Sequence, residues 1–136
     1  MTIQIAALCD AATDYSGKLN ILGTFDTIFS AQLPAVHPNC SIALRFLFNR
    51  GEEGLHQMSI HFVDDDGHDI MPAIPTFPIS VEVPDEVEFI SRNCVVNIQQ
   101  LRFEHPGHYA IDIALDGVHV ASVPLRVTQI HQQRAS

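Results

Sequence analysis

Apolar residues in this chain recur at every second position, the spacing that lines up side chains on one face of a half-buried strand. Ile42, Leu44, Phe46 and Phe48 form one such run. Met58, Ile60 and Phe62 form the next, followed by Phe77, Ile79, Val81 and Val83, and then by Tyr109, Ile111, Ile113 and Leu115. Ser, Arg, His, Glu and Asp stand between them, as a solvated face requires. Turn residues separate the runs. Asp66-Gly67 and Asp116-Gly117 each place a residue tolerant of positive φ before glycine, and Ser16-Gly17 and Pro106-Gly107 mark two further joints. The pattern predicts strands at Thr2–Ala12, Lys18–Phe29, Cys40–Phe48, Leu55–Val63, His68–Met71, Phe77–Val83, Asn93–Phe103, Gly107–Leu115 and Val118–Val127.

Two strands change phase along their length. Val96 and Ile98 share one parity and Leu101 and Phe103 the other, which predicts a bulge near Gln99 and Gln100. Val118 and Val120 likewise give way to Val123, Leu125 and Val127. Pro124 has no amide to give to a ladder, so the last strand is expected at a sheet edge. Ser30–Asn39, with Pro34 and Pro38, reads as a long connection crossing between sheets. Pro84-Asp85-Glu86 has the composition of a helix start, and Val87, Ile90 and Cys94 fit helical spacing, which suits one short helix over Pro84–Ser91, while Val87 and Phe89 fit the alternation of a strand equally well. Many short strands without crossover helices imply an all-β, antiparallel β-sandwich of about eight or nine strands with at most one short helix. Residues 1–130 read as one domain and residues 131–136 as a flexible tail.

Composition narrows the partners. Sixteen acidic against seven basic residues give a net charge of −9, whose field repels phosphate backbones and anionic headgroups. Nucleic acid and membrane surfaces are therefore not expected as partners. The opening Met1-Thr2-Ile3-Gln4-Ile5 lacks the pattern of a signal peptide, which implies a cytoplasmic address. Eight histidines would bring the charge to about −1 near pH 5 to 6. Solubility is expected to fall in mild acid; a flat solubility curve between pH 5 and 7.5 would contradict it.

Candidate chemistry is sparse. Asp64-Asp65-Asp66-Gly67-His68-Asp69 supplies hard oxygen ligands suited to Ca²⁺, but without the alternation and distant glutamate of an EF-hand. If successive strands run antiparallel, Asp64, Asp65, Asp66, Asp85, Glu86 and Asp116 gather at one end, where a metal or small ligand would bind. The competing reading is a set of solvated acidic turns. His56 and His61 fall on opposite faces of a strand and cannot share an ion. His105, His108 and His119 would converge only across a turn and lack a closing zinc ligand. Cys9, Cys40 and Cys94 are an odd number with no C-x-x-C spacing; Cys9 shares parity with Ile3 and Ile5, and Cys94 with Val96 and Ile98, as inert core thiols would. Tyr109 reads as a core residue whose hydroxyl reaches backbone. No catalytic residue, metal ligand set or cofactor fingerprint is assembled, although a hydrolase without a recognised motif is a further alternative.

Leu8-Cys9-Asp10, Gly17-Lys18-Leu19-Asn20-Ile21-Leu22-Gly23 and Phe25-Asp26, with the later Gly107-His108-Tyr109, Asp116-Gly117 and Pro124-Leu125-Arg126-Val127, resemble a family of short bacterial all-β proteins of unknown function. The resemblance implies a stand-alone, immunoglobulin-like sandwich and transfers no catalytic residue. Gly23 lies in phase with Leu19, Ile21 and Phe25, where it marks a bulge or a close backbone approach. The expected function is a non-enzymatic protein-interaction module, binding a partner or a second copy of itself through a sheet edge or an exposed face.

Overall fold

The computed structural model describes residues 1–72 and 74–131, so from residue 132 on the expected tail lies outside the described residues. Nine strands carry it: β1 Thr2–Tyr15, β2 Lys18–Thr24, β3 Thr27–Ser30, β4 Ala35–Asn49, β5 Gly54–Asp64, β6 Phe77–Val81, β7 Phe89–Phe103, β8 Gly107–Leu115 and β9 Val118–Gln129. They form a four-stranded sheet in the order β2-β1-β4-β7 and a five-stranded sheet, curled into a half-barrel, in the order β3-β9-β8-β5-β6. Among the described residues the helical content is a single 3₁₀ turn, Arg50–Glu52, and no helix is long and apolar enough to cross a membrane.

The alternating runs all point inward. Ile42, Leu44, Phe46 and Phe48 from the first sheet meet Met58, Ile60, Phe62, Ile111 and Ile113 from the second in one cluster, all at 0–1% exposure. Burying each of these side chains contributes roughly 1.5–3 kcal/mol, which makes the contact between sheets the main source of stability. Tyr109 packs edge-on against Phe103, and its hydroxyl donates to the His105 carbonyl, so the polar atom it carries to the core edge is satisfied.

Several local expectations give way to tertiary pairing. Lys18–Phe29 is two strands rather than one. The Phe25 amide donates to the Leu8 carbonyl of the first sheet, whereas the Asp26 carbonyl accepts from the Arg126 amide of the second. The chain thus changes sheets within two residues, and β3 then runs parallel to β9, the one pair among the described residues that is not antiparallel. With β3 alongside, β9 is an interior strand and not an edge. Pro124 is tolerated there because Arg126 turns its amide toward β3, so by alternation position 124 faces the same side, beyond the end of β3.

The connection Ser30–Asn39 does cross between sheets, but β4 begins at Ala35 and shortens it. His68–Met71 is not a strand; Asp69 makes an isolated bridge to Val63, and Ile70 donates to the Phe62 carbonyl. Nor does Pro84–Ser91 form a helix. The Arg50 guanidinium takes the carbonyls of Val83, Pro84 and Val87 at 2.7–3.3 Å, removing acceptors a helix would need, and β7 starts at Phe89 opposite Asn49.

Phase changes occur where the sequence places them, with one difference in kind. Val120 is the extra residue of a bulge in β9. In β7 the slip falls at Gln100, whose φ is +55°, yet the β4–β7 register is the same on both sides of it. The partner strand changes phase at the facing Pro38, so the two strands kink together and no bulge results. A further bulge between Ile3 and Ile5 turns Cys9 away from the intersheet core. Cys9 is fully buried on the outer face, its thiol directed at the Ser41 carbonyl at 3.4 Å. It is covered because the β1–β2 hairpin folds back over that face, where the Gly17 carbonyl accepts from Arg45 and Asn93, each at 3.1 Å. Gly23 is the close approach its phase implies: at φ +69°, a Cβ there would lie 2.5 Å from the Asp10 carboxylate.

Candidate functional site: a cleft between two free sheet edges

β6 ends the five-stranded sheet and β7 ends the four-stranded one, and the two edges face each other without joining. β7 is 15 residues long and pairs with β4 throughout. Among the described residues no backbone hydrogen bond reaches its other side. Between the edges lies a cleft of about 270 Å³ lined by Phe46, Phe77, Ile79, Ser80, Arg92 and Cys94. Its floor is apolar because Phe46, fully buried, is the inward residue of β4 at this level and Phe77 and Ile79 are the inward residues of β6. Arg92 stands at the rim, exposed, with one guanidinium nitrogen 3.5 Å from the Ser80 carbonyl across the gap. Cys94 is half-buried and desolvation pushes its thiol up to about 11, so it lines the cleft as an apolar group and not as a nucleophile.

The site was not foreseen because the strand was expected to begin only at Asn93, with Pro84–Ser91 open between helix and strand. A signal was present: Arg92 shares the parity of Ile90, Cys94, Val96 and Ile98, a lone charge in an apolar inward row.

The acidic residues do not gather at one end. Asp64 pairs with Tyr109 at one end of the β5–β8 ladder and Met58 with Leu115 at the other, about 20 Å away by the rise of a strand. Asp116 follows Leu115, and Asp85 and Glu86 follow β6 back to that same end, opposite Asp64, Asp65 and Asp66. The expectation counted His68–Met71 as a strand, and its absence reverses the direction of everything after it.

Asp64, Asp66 and His68 do bring ligand atoms within 4.8 Å of one another. However, Asp64 Oδ1 already accepts from the Asp66 and His68 amides, both at 2.9 Å, and these hold its carboxyl below the usual range. The arrangement is a capped turn. Beside it a cavity of about 450 Å³ reaches Asp69, Arg102, His105 and Tyr109, with Arg102 engaged by Glu104 at 2.7 Å.

His105 and His108 line that same cavity on either side of the Pro106-Gly107 turn, but the other histidines separate. His61 faces outward toward Asp69 at 3.3 Å, His119 lies 3.7 Å from Asp112, and His108 sits at the far end of β8 from His119. His56 instead turns inward and stacks on Phe48. Its Nδ1 lies 2.6 Å from Asp116 Oδ2 and its Nε2 2.6 Å from the Glu52 carbonyl. With an acceptor at each nitrogen the ring favours its charged form. The Glu52 carbonyl first and Asp116 second raise its pKa above the ordinary value.

No curated protein sequence matches this chain. Among solved structures, the chain is similar to the alkylpurine DNA glycosylase of Pseudomonas fluorescens bound to DNA containing an abasic site analog. The identity is 10% and the TM-score 0.49, over 93% of this chain and 30% of the glycosylase chain. The model of a family of unknown function, DUF6941, matches residues 4–128, and the chain belongs to that family.

Proposed function

We propose that this chain is a protein-binding β-sandwich of the immunoglobulin-like kind, which takes up an extended segment of a protein partner by strand addition along β7. The observation that carries the reading is the free edge of β7, a long row of unsatisfied amides and carbonyls beside an apolar cleft. Main-chain hydrogen bonds along such an edge supply affinity, and a side-chain pocket next to it supplies selectivity.

Hydrogen exchange followed residue by residue tests this. In the free chain, alternate amides of Phe89–Val95 are expected to exchange fast, because only one side of β7 is paired. A short peptide alternating threonine and valine should slow those amides selectively. Protection that is unchanged at millimolar peptide, or that appears instead on the β2 or β3 edge, would remove the proposal.

A further inference from the structure

We infer that the segment bound along β7 carries an acidic side chain two residues from an apolar one, the acid opposite Arg92 and the apolar group entering the cleft beside Cys94. The inference rests on the strand-addition reading. A strand pairing with β7 places side chains directly opposite Arg92 and Cys94 on one face, and period two fixes the spacing between them. The apolar requirement comes from Phe46, Phe77 and Ile79 on the cleft walls.

The acidic requirement comes from the state of Arg92. Among the described residues its acceptors are the Ser91 and Ser80 carbonyls, both at the long distance of 3.5 Å, and no carboxylate lies within ion-pair range. Among the described residues Arg126 reaches the Thr27 hydroxyl at 3.1 and 3.3 Å, and the remaining arginines are held more closely still. Arg45 holds Gln4, Asn93 and Ser91 at 2.7–2.9 Å, Arg50 holds the Val87 carbonyl at 2.7 Å and Arg102 holds Glu104 at 2.7 Å. A guanidinium left with its donors weakly used at the rim of an apolar cleft is matched by a carboxylate, which it binds in a two-pronged geometry.

The net charge of −9 makes the inference sharp, because the long-range field favours a basic segment and only the local contact with Arg92 favours an acidic one. Two peptides alternating threonine and valine separate the two effects, one with glutamate and one with lysine at the position two residues from a valine. Anisotropy titration of the full chain should show the glutamate peptide binding about fivefold more tightly, the size of a partly exposed ion pair. Arg92→Glu should reverse the order, and Arg102→Glu, the same charge change beyond the Gln100 kink, should leave it intact. Arg92 is exposed, so a melting curve is expected to report an unchanged fold in that variant. Tighter binding of the lysine peptide to the wild type, or a preference that survives Arg92→Glu, overturns the inference while leaving strand addition in place. Binding of neither peptide to any form overturns both.

Discussion

Ile111→Asp is expected to eliminate soluble folded protein, whereas Ala110→Asp, one position away, is expected to leave it nearly unchanged. Ile111 has no exposed surface and lies between Phe62 on β5 and Val123 on β9, at the centre of the five-stranded sheet's inner face. Removing its side chain forfeits roughly 1.5–3 kcal/mol of burial. An unpaired carboxylate in its place adds a penalty of several kcal/mol, because no donor stands within reach to replace water. The sum approaches the total stability of about 5–15 kcal/mol of an ordinary domain. Ala110 pairs with Val63 and Pro124 on the outer face, where a carboxylate keeps its hydration. Ile111→Val, which removes one methyl group, should cost only about 1 kcal/mol and serves as the size control. Yield in the soluble fraction and a thermal melt read all three. A normal yield of Ile111→Asp, or equal damage from both aspartates, would mean that the inner and outer faces are exchanged.

The second large effect is expected at His56, with a size set by pH. The ring joins the 3₁₀ turn to the β8–β9 hairpin, bonding the Glu52 carbonyl on one side and Asp116 on the other while it stacks on Phe48. Asp116 is in turn held by the Gln57 amide at 2.8 Å, and Glu52 by the Met1 ammonium and the Asn49 amide. His56→Ala removes two hydrogen bonds and a packed ring, for an expected loss of about 2–3 kcal/mol. In a chain of this length that corresponds to a fall in Tm of roughly 8–12 °C.

The pH dependence follows from three shifts. His56 is raised above its ordinary 6.5, so its contribution is fully present below pH 6.5 and is lost as pH rises through the higher folded value. The Gln57 amide and then His56 lower Asp116 below 3.8. Partial burial acts to raise Glu52, but the Met1 ammonium and the Asn49 amide outweigh it and hold Glu52 below 4.5. Both carboxylates therefore contribute fully above those ordinary values and lose their contribution only as pH falls through the lower folded ones. The clasp is strongest between about pH 4.5 and 6.5. Tm should be higher at pH 6 than at pH 8.5, and in His56→Ala this difference should shrink. Melts by circular dichroism at low micromolar protein avoid the loss of solubility expected in the same range. An equal pH response in wild type and variant would show that His56 is neutral in the fold.

Alternation was enough to fix the inward residues of β4, β5, β6 and β8, though not of β1, where the bulge after Ile3 turned Cys9 outward. Each inward run of β4, β5, β6 and β8 packs into or against one core, because a side chain's face in a strand depends only on its position modulo two. Turn chemistry was equally local and equally readable: Ser16-Gly17 and Asp116-Gly117 adopt the positive φ values that join β1 to β2 and β8 to β9. Gln100 and Val120 sit at the phase changes their neighbours imply.

Which strands pair, and in which direction, required the fold. The parallel partner of β9 is the end of a strand that changes sheets at Phe25 and Asp26, and no local pattern distinguishes that crossing from a continuous strand. Arg50, far in sequence from Pro84, takes the carbonyls that a helix there would have used. Both outcomes are competitions between local preference and distant hydrogen bonds, and tertiary contact decides them. The separation of Asp64 from Asp116 and the facing edges of β6 and β7 follow from those decisions. The inward charge at Arg92 was visible along the chain, but its place at the rim of a cleft depended on which strands end the two sheets.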